Sequence, residues 1–496
     1  MVAKFGFCRY NGDIVPSKMD YRKRKRKTLR IAYGGVRDVT QTAGETTTPG
    51  ELPCGTERRI FMTLSKRNRM IMGLTLFSMF FGAGNLIFPP FLAYQAGNVT
   101  WPAMVGFCIS AIGFPILGVV AVAKAGGLDV LSKRVNPVFA QVFVLLAYLS
   151  IGPGLAIPRN SVTSFEMAVL PFLGEGAPVS MLQLIYSGVF FLVAVIVALK
   201  PEKLSDRLGK IMTPILLTLI VVIFAGCLFK ENGGYGQVTA VYQNHAGIKG
   251  FLDGYQTMDA IAALNFGFII ALNIRTMGVE NEKQIVGETV QAGWIAGVLL
   301  LAVYCALAHI GGVASGFLEG AENGARTLTG MVAWMFGPIG NAILAAVFVI
   351  ACLNTCIGLL TCCSDYFHKL LPKISYRAWV IFFAASSMIV ANAGLNTILS
   401  VSVPVLGAIY PVCILLILLG ICHHWIEKLP LIYPVSVLFT GVVSILTMIK
   451  DLGWAGNHLD GVFAVLPLAE QGLPWLVPAI LGIVLGAVLS LVIKKK

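Results

Sequence analysis

A chain of 496 residues that is 57% hydrophobic and only 12% charged, with a mean hydropathy of +0.80, lacks the polar surface that a soluble domain must turn to water. A membrane-spanning helix needs about 20 apolar residues, so this length holds about 12 of them. The long unbroken apolar runs exclude a β-barrel, whose strands alternate, and predict an all-α polytopic membrane protein. The net charge of +13 is gathered toward one end.

Residues 1–67 read as a basic, disordered cytoplasmic tail. Residues 1–69 hold 16 of the 37 Lys and Arg, including the run Arg22-Lys23-Arg24-Lys25-Arg26-Lys27. Such a run suits anionic lipid or nucleic acid, but a solvated charge run is the plainer reading, and no nucleic-acid partner is expected. The tail has no signal-peptide pattern. It also reads as a start-site extension, because Met62, Met70 and Met72 each stand close to the first span.

Apolar runs between polar breaks predict spans at roughly 68–92, 99–123, 137–158, 179–199, 209–229, 251–275, 289–314, 338–364, 377–393, 396–422, 430–449 and 473–493. With the amino terminus cytoplasmic, the inner loops hold 13 Lys and Arg. The outer loops hold Arg159, Lys230, Lys249, Arg326 and Lys450. That asymmetry places both termini inside.

The first span carries Phe80-Phe81-Gly82-Ala83-Gly84-Asn85-Leu86-Ile87-Phe88-Pro89-Pro90. Glycine frees the backbone from helical dihedrals and proline removes a donor, so the helix should break here. In hydrocarbon, broken backbone survives only where protein or a watery cavity satisfies it, and in transporters such breaks mark the binding site. The sixth span carries a second irregular stretch, Gly254-Tyr255-Gln256-Thr257-Met258-Asp259, followed by Asn265. A carboxylate at the centre of a span costs about 3 kcal/mol on insertion scales, which makes Asp259 a functional candidate. The plain alternative is an aspartate capping a helix that starts near Ala260.

Spans one to five (68–230) and six to ten (251–422) each begin with a broken helix. Five is odd, so the two units enter the membrane in opposite orientations, as a 5+5 inverted repeat; residues 430–496 add two trailing helices. At the first break, Gly82, Ala83, Gly84 and Asn85 offer unpaired backbone N–H groups suited to a carboxylate. The carbonyls below suit a small cation. Asp259 or nearby carbonyls offer a site for an ammonium, Thr257 brings a further polar group, and Phe80, Phe81, Tyr255 and Met258 stand as apolar lining or plain packing. A zwitterion with an apolar side chain fits such a site. Asn354 and Thr355 in span eight supply oxygens for a third wall, or merely bond neighbouring helices. Thr361, Ser364 and Asp365 lie nearer the cytoplasm, along an exit path.

The 11 cysteines sit mostly in apolar spans and read as packing residues rather than disulfides. Cys422-His423-His424 lacks a partner pair at zinc spacing, so no transition-metal site is expected. No Walker-type Gly-x-x-x-x-Gly-Lys-[Ser/Thr] occurs, in line with transport driven by an ion gradient.

The stretch Phe81 to Pro90 resembles the signature of the branched-chain amino acid:cation symporters, the bacterial leucine, isoleucine and valine carriers. Gly254 to Asp259, Ser402-Val403-Pro404-Val405-Leu406 with Ile409-Tyr410-Pro411, and Pro467-Leu468-Ala469-Glu470-Gln471-Gly472-Leu473 look like the same family. The likeness is collinear over about residues 66–490; the basic extension departs from it. The resemblance implies the amino acid–polyamine–organocation superfamily, with Na⁺ held between spans one and eight. Carried over by position, the cation would meet the carbonyls of Ser78, Phe81 and Ala351 and the side chains of Asn354 and Thr355. The function implied is import of leucine, isoleucine and valine across the bacterial cytoplasmic membrane by alternating access. Na⁺ or H⁺ would be the coupling ion, Na⁺ before H⁺, with no other cofactor. The alternatives are another apolar-amino-acid transporter or exchanger, a membrane-embedded enzyme acting on a lipid-linked substrate, and an ion channel. The scarcity of clustered acids and histidines argues against the enzyme, and the two unlike halves with a single buried acid argue against a channel, which needs a filter or a charged ring.

Overall fold

The first membrane helix starts where Ser65 accepts the Asn68 N–H at 3.2 Å, capping an orphan donor of the first turn. In the computed structural model, which describes residues 7–10, 13–16, 63–174, 176–199, 205–229 and 234–494, this helix has two parts. α1a spans Lys66–Phe80 and α1b spans Ala83–Ala96. α2 follows as Thr100–Cys108, a π-helical turn Ile109–Gly113 and Phe114–Ala125. α3 runs Pro137–Leu149, turns through Ser150–Gly154 and continues as Ala156–Ala168. α4 is Val179–Ala198 and α5 is Ser205–Phe229. α6a (Ala246–Asp253) passes through the turn Gly254–Thr257 into α6b (Asp259–Thr276). Then come α7 (Glu282–Ala314), α8 (Gly324–Leu370), α9 (Tyr376–Ala391), α10 (Leu395–Ile421), α11 (Ile432–Asp451) and α12 (Leu476–Lys494).

Among the described residues, nine helices are long and apolar enough to cross a membrane, counting Ala83–Ala125 as one although the chain turns at Gly97. Leu217–Phe229 and Tyr376–Ala391 are apolar but shorter. With these, every expected span corresponds to a helix. Large apolar side chains such as Val105, Val189, Ile339 and Ile389 stay exposed, as lipid-facing positions should.

Two spans differ from expectation. α3 does not stop at residue 158: Gly152-Pro153-Gly154 bends the helix without ending it, and Arg159 lies inside the membrane segment rather than in an outer loop. α8 begins at Gly324, well before 338, and kinks where Gly337 takes φ +64° ahead of Pro338. In the amino-terminal stretch, Phe7–Tyr10 and Asp13–Pro16 pair as a short antiparallel hairpin. The end of the expected disordered tail is ordered, since Leu64 is buried and α1a begins at Lys66; the rest of it, with the Arg22–Lys27 run, lies outside the described residues.

Small residues let the broken helices pack backbone to backbone. A Cβ at Gly250 of α6a would sit 1.9 Å from the Ala103 carbonyl of α2, and one at Gly311 of α7 would sit 2.0 Å from the Pro90 carbonyl of α1b. Membrane helices associate by such close approach, since lipid supplies no hydrophobic drive. On the α1a side, Arg69 grips Glu288 of α7 with two bonds of 2.8 and 2.9 Å, and Leu64 N–H adds a third at 3.2 Å. Glu288 is 4% exposed, so this clasp gives a buried carboxylate a charged partner and, among the described residues, three hydrogen bonds.

Candidate functional site at two helix breaks

The break in α1 forms as Phe81 leaves helical dihedrals (φ −74°, ψ 90°) and Gly82 extends. Gly82 N–H turns to Asn85 Oδ1 at 3.2 Å, which leaves the Ser78 carbonyl without the donor of a continuous helix. The break in α6 forms as Met258 takes φ +63°, costly for a side-chain-bearing residue, and α6b starts afresh at Asp259.

The two breaks meet. Asn85 Nδ2 donates to Asp259 Oδ2 at 2.5 Å and to the Tyr304 hydroxyl of α7 at 2.6 Å; Tyr304 in turn donates to Asp259 Oδ2 at 3.3 Å. Asp259 is 3% exposed and Asn85 2%. The carboxylate therefore does not serve as a cap for its own helix; its side chain ties α6 to α1 and α7. Thr257 Oγ1 donates to the Gly254 carbonyl at 2.9 Å and faces the Asp259 N–H at 3.4 Å, closing the turn. Ala260 N–H donates to the Tyr410 hydroxyl of α10 at 3.3 Å.

Of the other expected site residues, Gly82 caps α1b and Ala83, Gly84 and Asn85 begin its first turn, with Ala83 and Gly84 buried. Tyr255 stacks on Tyr410 (4.4 Å between rings) and lies edge-on to Phe251 (5.4 Å), and Met258 is buried in the same cluster. Phe80 packs on Phe266 and Phe81 stacks on Phe77, so both rings serve packing. Asn265 is buried with its amide nitrogen unpartnered.

On the third wall, Thr355 of α8 lies against the break: a Cβ on Gly82 would stand 3.4 Å from its methyl and 3.7 Å from its hydroxyl oxygen. Its hydroxyl donates to the Ala351 carbonyl at 3.1 Å. Asn354 Oδ1 is buried with no hydrogen-bond partner. A buried oxygen without a partner is the kind of hard donor that a small cation can use. Thr361 bonds its own helix at the Ile357 carbonyl, and Asp365 pairs with Lys369 at 2.6 Å on the exposed end of α8.

Sequence reasoning missed three residues here. Tyr304 and Tyr410 are fully buried, and a buried phenol must find a partner, so each was a signal inside an apolar run. Arg159, read as a loop residue, is 4% exposed; its Nη1 donates to the Gln256 carbonyl at 2.7 Å and its guanidinium lies 5.2 Å from the Phe88 ring centre. It touches both breaks.

Residues 65–493 match the family model for the branched-chain amino acid transport protein. The chain belongs to this family. It is 40% identical over 434 residues to the branched-chain amino acid permease BraB of Bacillus subtilis, covering 87% of this chain and 97% of that protein. It is 40% identical over 424 residues to the branched-chain amino acid transport system 2 carrier protein of Pseudomonas aeruginosa, covering 84% and 95%. Among solved structures, the nucleobase-cation-symport-1 transporter Mhp1 in a closed conformation matches with a TM-score of 0.54 at 12% identity, over 84% of this chain and 91% of that one. MhsT in complex with L-phenylalanine matches with a TM-score of 0.50 at 16% identity, over 78% and 99%. At these identities the structures speak to fold alone, and they fit the inverted-repeat architecture. The family member is a multi-pass membrane transporter, not an enzyme, and the lipid-linked-substrate alternative is set aside.

Proposed function

We propose that this transporter imports leucine, isoleucine and valine across the bacterial cytoplasmic membrane by symport with Na⁺, through alternating access. The observation that carries the reading is the meeting of the two breaks at Asn85 and Asp259, deep in the bundle. The first turn of α1b, at Gly82–Asn85, receives the substrate carboxylate with the positive end of its helix dipole. Asp259 offers its charge to the ammonium. Apolar surroundings then favour an aliphatic side chain. The 40% identity to branched-chain amino acid permeases supports this substrate class.

The coupling ion binds between α1 and α8, with the freed Ser78 carbonyl, the Phe81 and Ala351 carbonyls, and Asn354 and Thr355 as ligands. Three features support it: Thr355 against Gly82, the unpartnered Asn354 oxygen, and the Gly82 N–H turned away from Ser78. Both termini face the cytoplasm. This orientation rests on the Lys and Arg excess in the inner loops, which sharpens once Arg159 leaves the outer count.

Proteoliposomes holding the purified protein test the reading. Labelled leucine should accumulate under an inward Na⁺ gradient, and isoleucine and valine should compete for it. Flux independent of any gradient, or no competition by the other two, contradicts it.

A further inference from the structure

Arg159 holds a formal charge inside the bundle at 4% exposure. A buried charge is tolerated only with partners, because desolvation alone costs several kcal/mol. The guanidinium has five N–H donors. Nη1 spends one on the Gln256 carbonyl, at the α6 break. The Phe88 face takes part of the charge from the α1b side. Among the described residues Arg159 forms no ion pair within 4.0 Å. Asp259 is near enough for its charge to act on Arg159, yet it directs Oδ2 to Asn85 and Tyr304.

The other edge of the guanidinium faces the α1 break. A Cβ on Gly84 would stand 2.8 Å from Nη2. Glycine at this position is what lets the charged fork come up to the first turn of α1b, where the backbone N–H groups have no carbonyl of their own helix to bond. Two opposite charges thus flank the meeting point of the breaks without pairing with each other. An amino acid carries its own two charges on one carbon, in complementary order.

The geometry points to Arg159 as the residue that binds the substrate carboxylate, in front of the α1b amino terminus, leaving Asp259 for the ammonium. This rests on the amino-acid-transport reading above and deepens it. An arginine fork matches a carboxylate with two parallel bonds, which lysine cannot do. It also makes the carboxylate a requirement. A site built to bond a substrate group rejects the analogue that lacks it far more strongly than an apolar pocket rejects a missing methylene. The competing role is a strut, in which Arg159 only braces the α6 turn through Gln256.

Binding of L-leucine and L-leucinol to the purified full-length protein separates the two roles. Leucinol keeps the side chain and the ammonium and replaces the carboxylate with a hydroxymethyl group. Ligand-dependent thermal stabilisation reads both. The wild type should bind leucinol at least about 100-fold more weakly than leucine. Arg159→Gln should weaken leucine by about 100-fold and leucinol by less than about threefold, so that the discrimination collapses. Equal weakening of both ligands assigns Arg159 the strut role and overturns the proposal, as does wild-type discrimination below about threefold. If Arg159→Gln fails to fold, Arg159→Lys keeps the charge and a donor for Gln256 but lacks the fork. It should cut the discrimination at least about tenfold, and unchanged discrimination there overturns the proposal too. A wild type stabilised by none of leucine, isoleucine and valine contradicts the transport reading itself, a result distinct from lost or retained discrimination.

Discussion

Asn85 Nδ2 stands 2.5 Å from Asp259 Oδ2, so the first turn of α1b is bonded directly to the first turn of α6b. The heads of the two inverted repeats are joined at one buried hydrogen bond to a carboxylate. Such bonds contribute about 1.5–3 kcal/mol, and removing one partner strands the other.

Asp259→Asn should therefore reduce leucine uptake at least about tenfold with insertion and expression unchanged. Wild-type uptake in this variant would make Asp259 a purely structural tie. A double-mutant cycle with Asn85→Ala should show a coupling of about 1–3 kcal/mol in leucine affinity, since the two side chains touch. Additive losses would mean that they act independently.

Thr355→Ala should raise the Na⁺ concentration for half-maximal uptake several-fold, with little change in expression. The hydroxyl lies beside Gly82, and its loss removes one oxygen from the proposed coordination shell. An unchanged Na⁺ dependence would remove Thr355 from the cation site and leave it a packing residue of α8.

Breaking the clasp at the α1a end should cost stability. Arg69→Ala strands Glu288, which is 4% exposed. The expected loss is about 2 kcal/mol, below the 3–5 of a fully buried pair because Arg69 stays 27% exposed. The melting temperature in detergent reads this. Adding Glu288→Gln should recover part of the loss, since the uncompensated charge is then gone. A double variant less stable than Arg69→Ala alone would show that Glu288 has other essential partners.

Gly250→Val should destabilise more severely, by at least about 2 kcal/mol, because the new Cβ meets the Ala103 carbonyl, which is backbone and cannot rotate away. Yield and monodispersity after solubilisation check it. Normal behaviour would show that α2 and α6a can separate without cost.

Much of this architecture was legible in the residues. The Gly82–Asn85 and Gly254–Asp259 stretches announce their breaks by composition, because glycine, proline and a lone carboxylate are costly in a lipid-facing helix. Their separation by five spans yields the inverted repeat. What escaped were residues whose meaning depends on tertiary placement. Arg159 follows Gly152-Pro153-Gly154 and Pro158, and a charge after such a run looks like a loop. The backbone instead turns through a π-helical bend and carries the charge onward, where Gln256 and Phe88 hold it. Tyr304 and Tyr410 sit in apolar runs, and nothing local tells which backbone or carboxylate a buried phenol will meet. The rings of Phe80, Phe81 and Tyr255 stand beside the breaks in sequence but pack on Phe266, Phe77 and Tyr410.

The central claim is that a cation gradient drives an amino acid through the site where the two breaks meet. Leucine uptake into proteoliposomes, with external Na⁺ replaced by choline at each step of a pH series, tests it most directly. Uptake should collapse in choline at every pH and return with Na⁺. Uptake that persists in choline and follows an inward proton gradient would contradict Na⁺ coupling and empty the proposed site between α1 and α8.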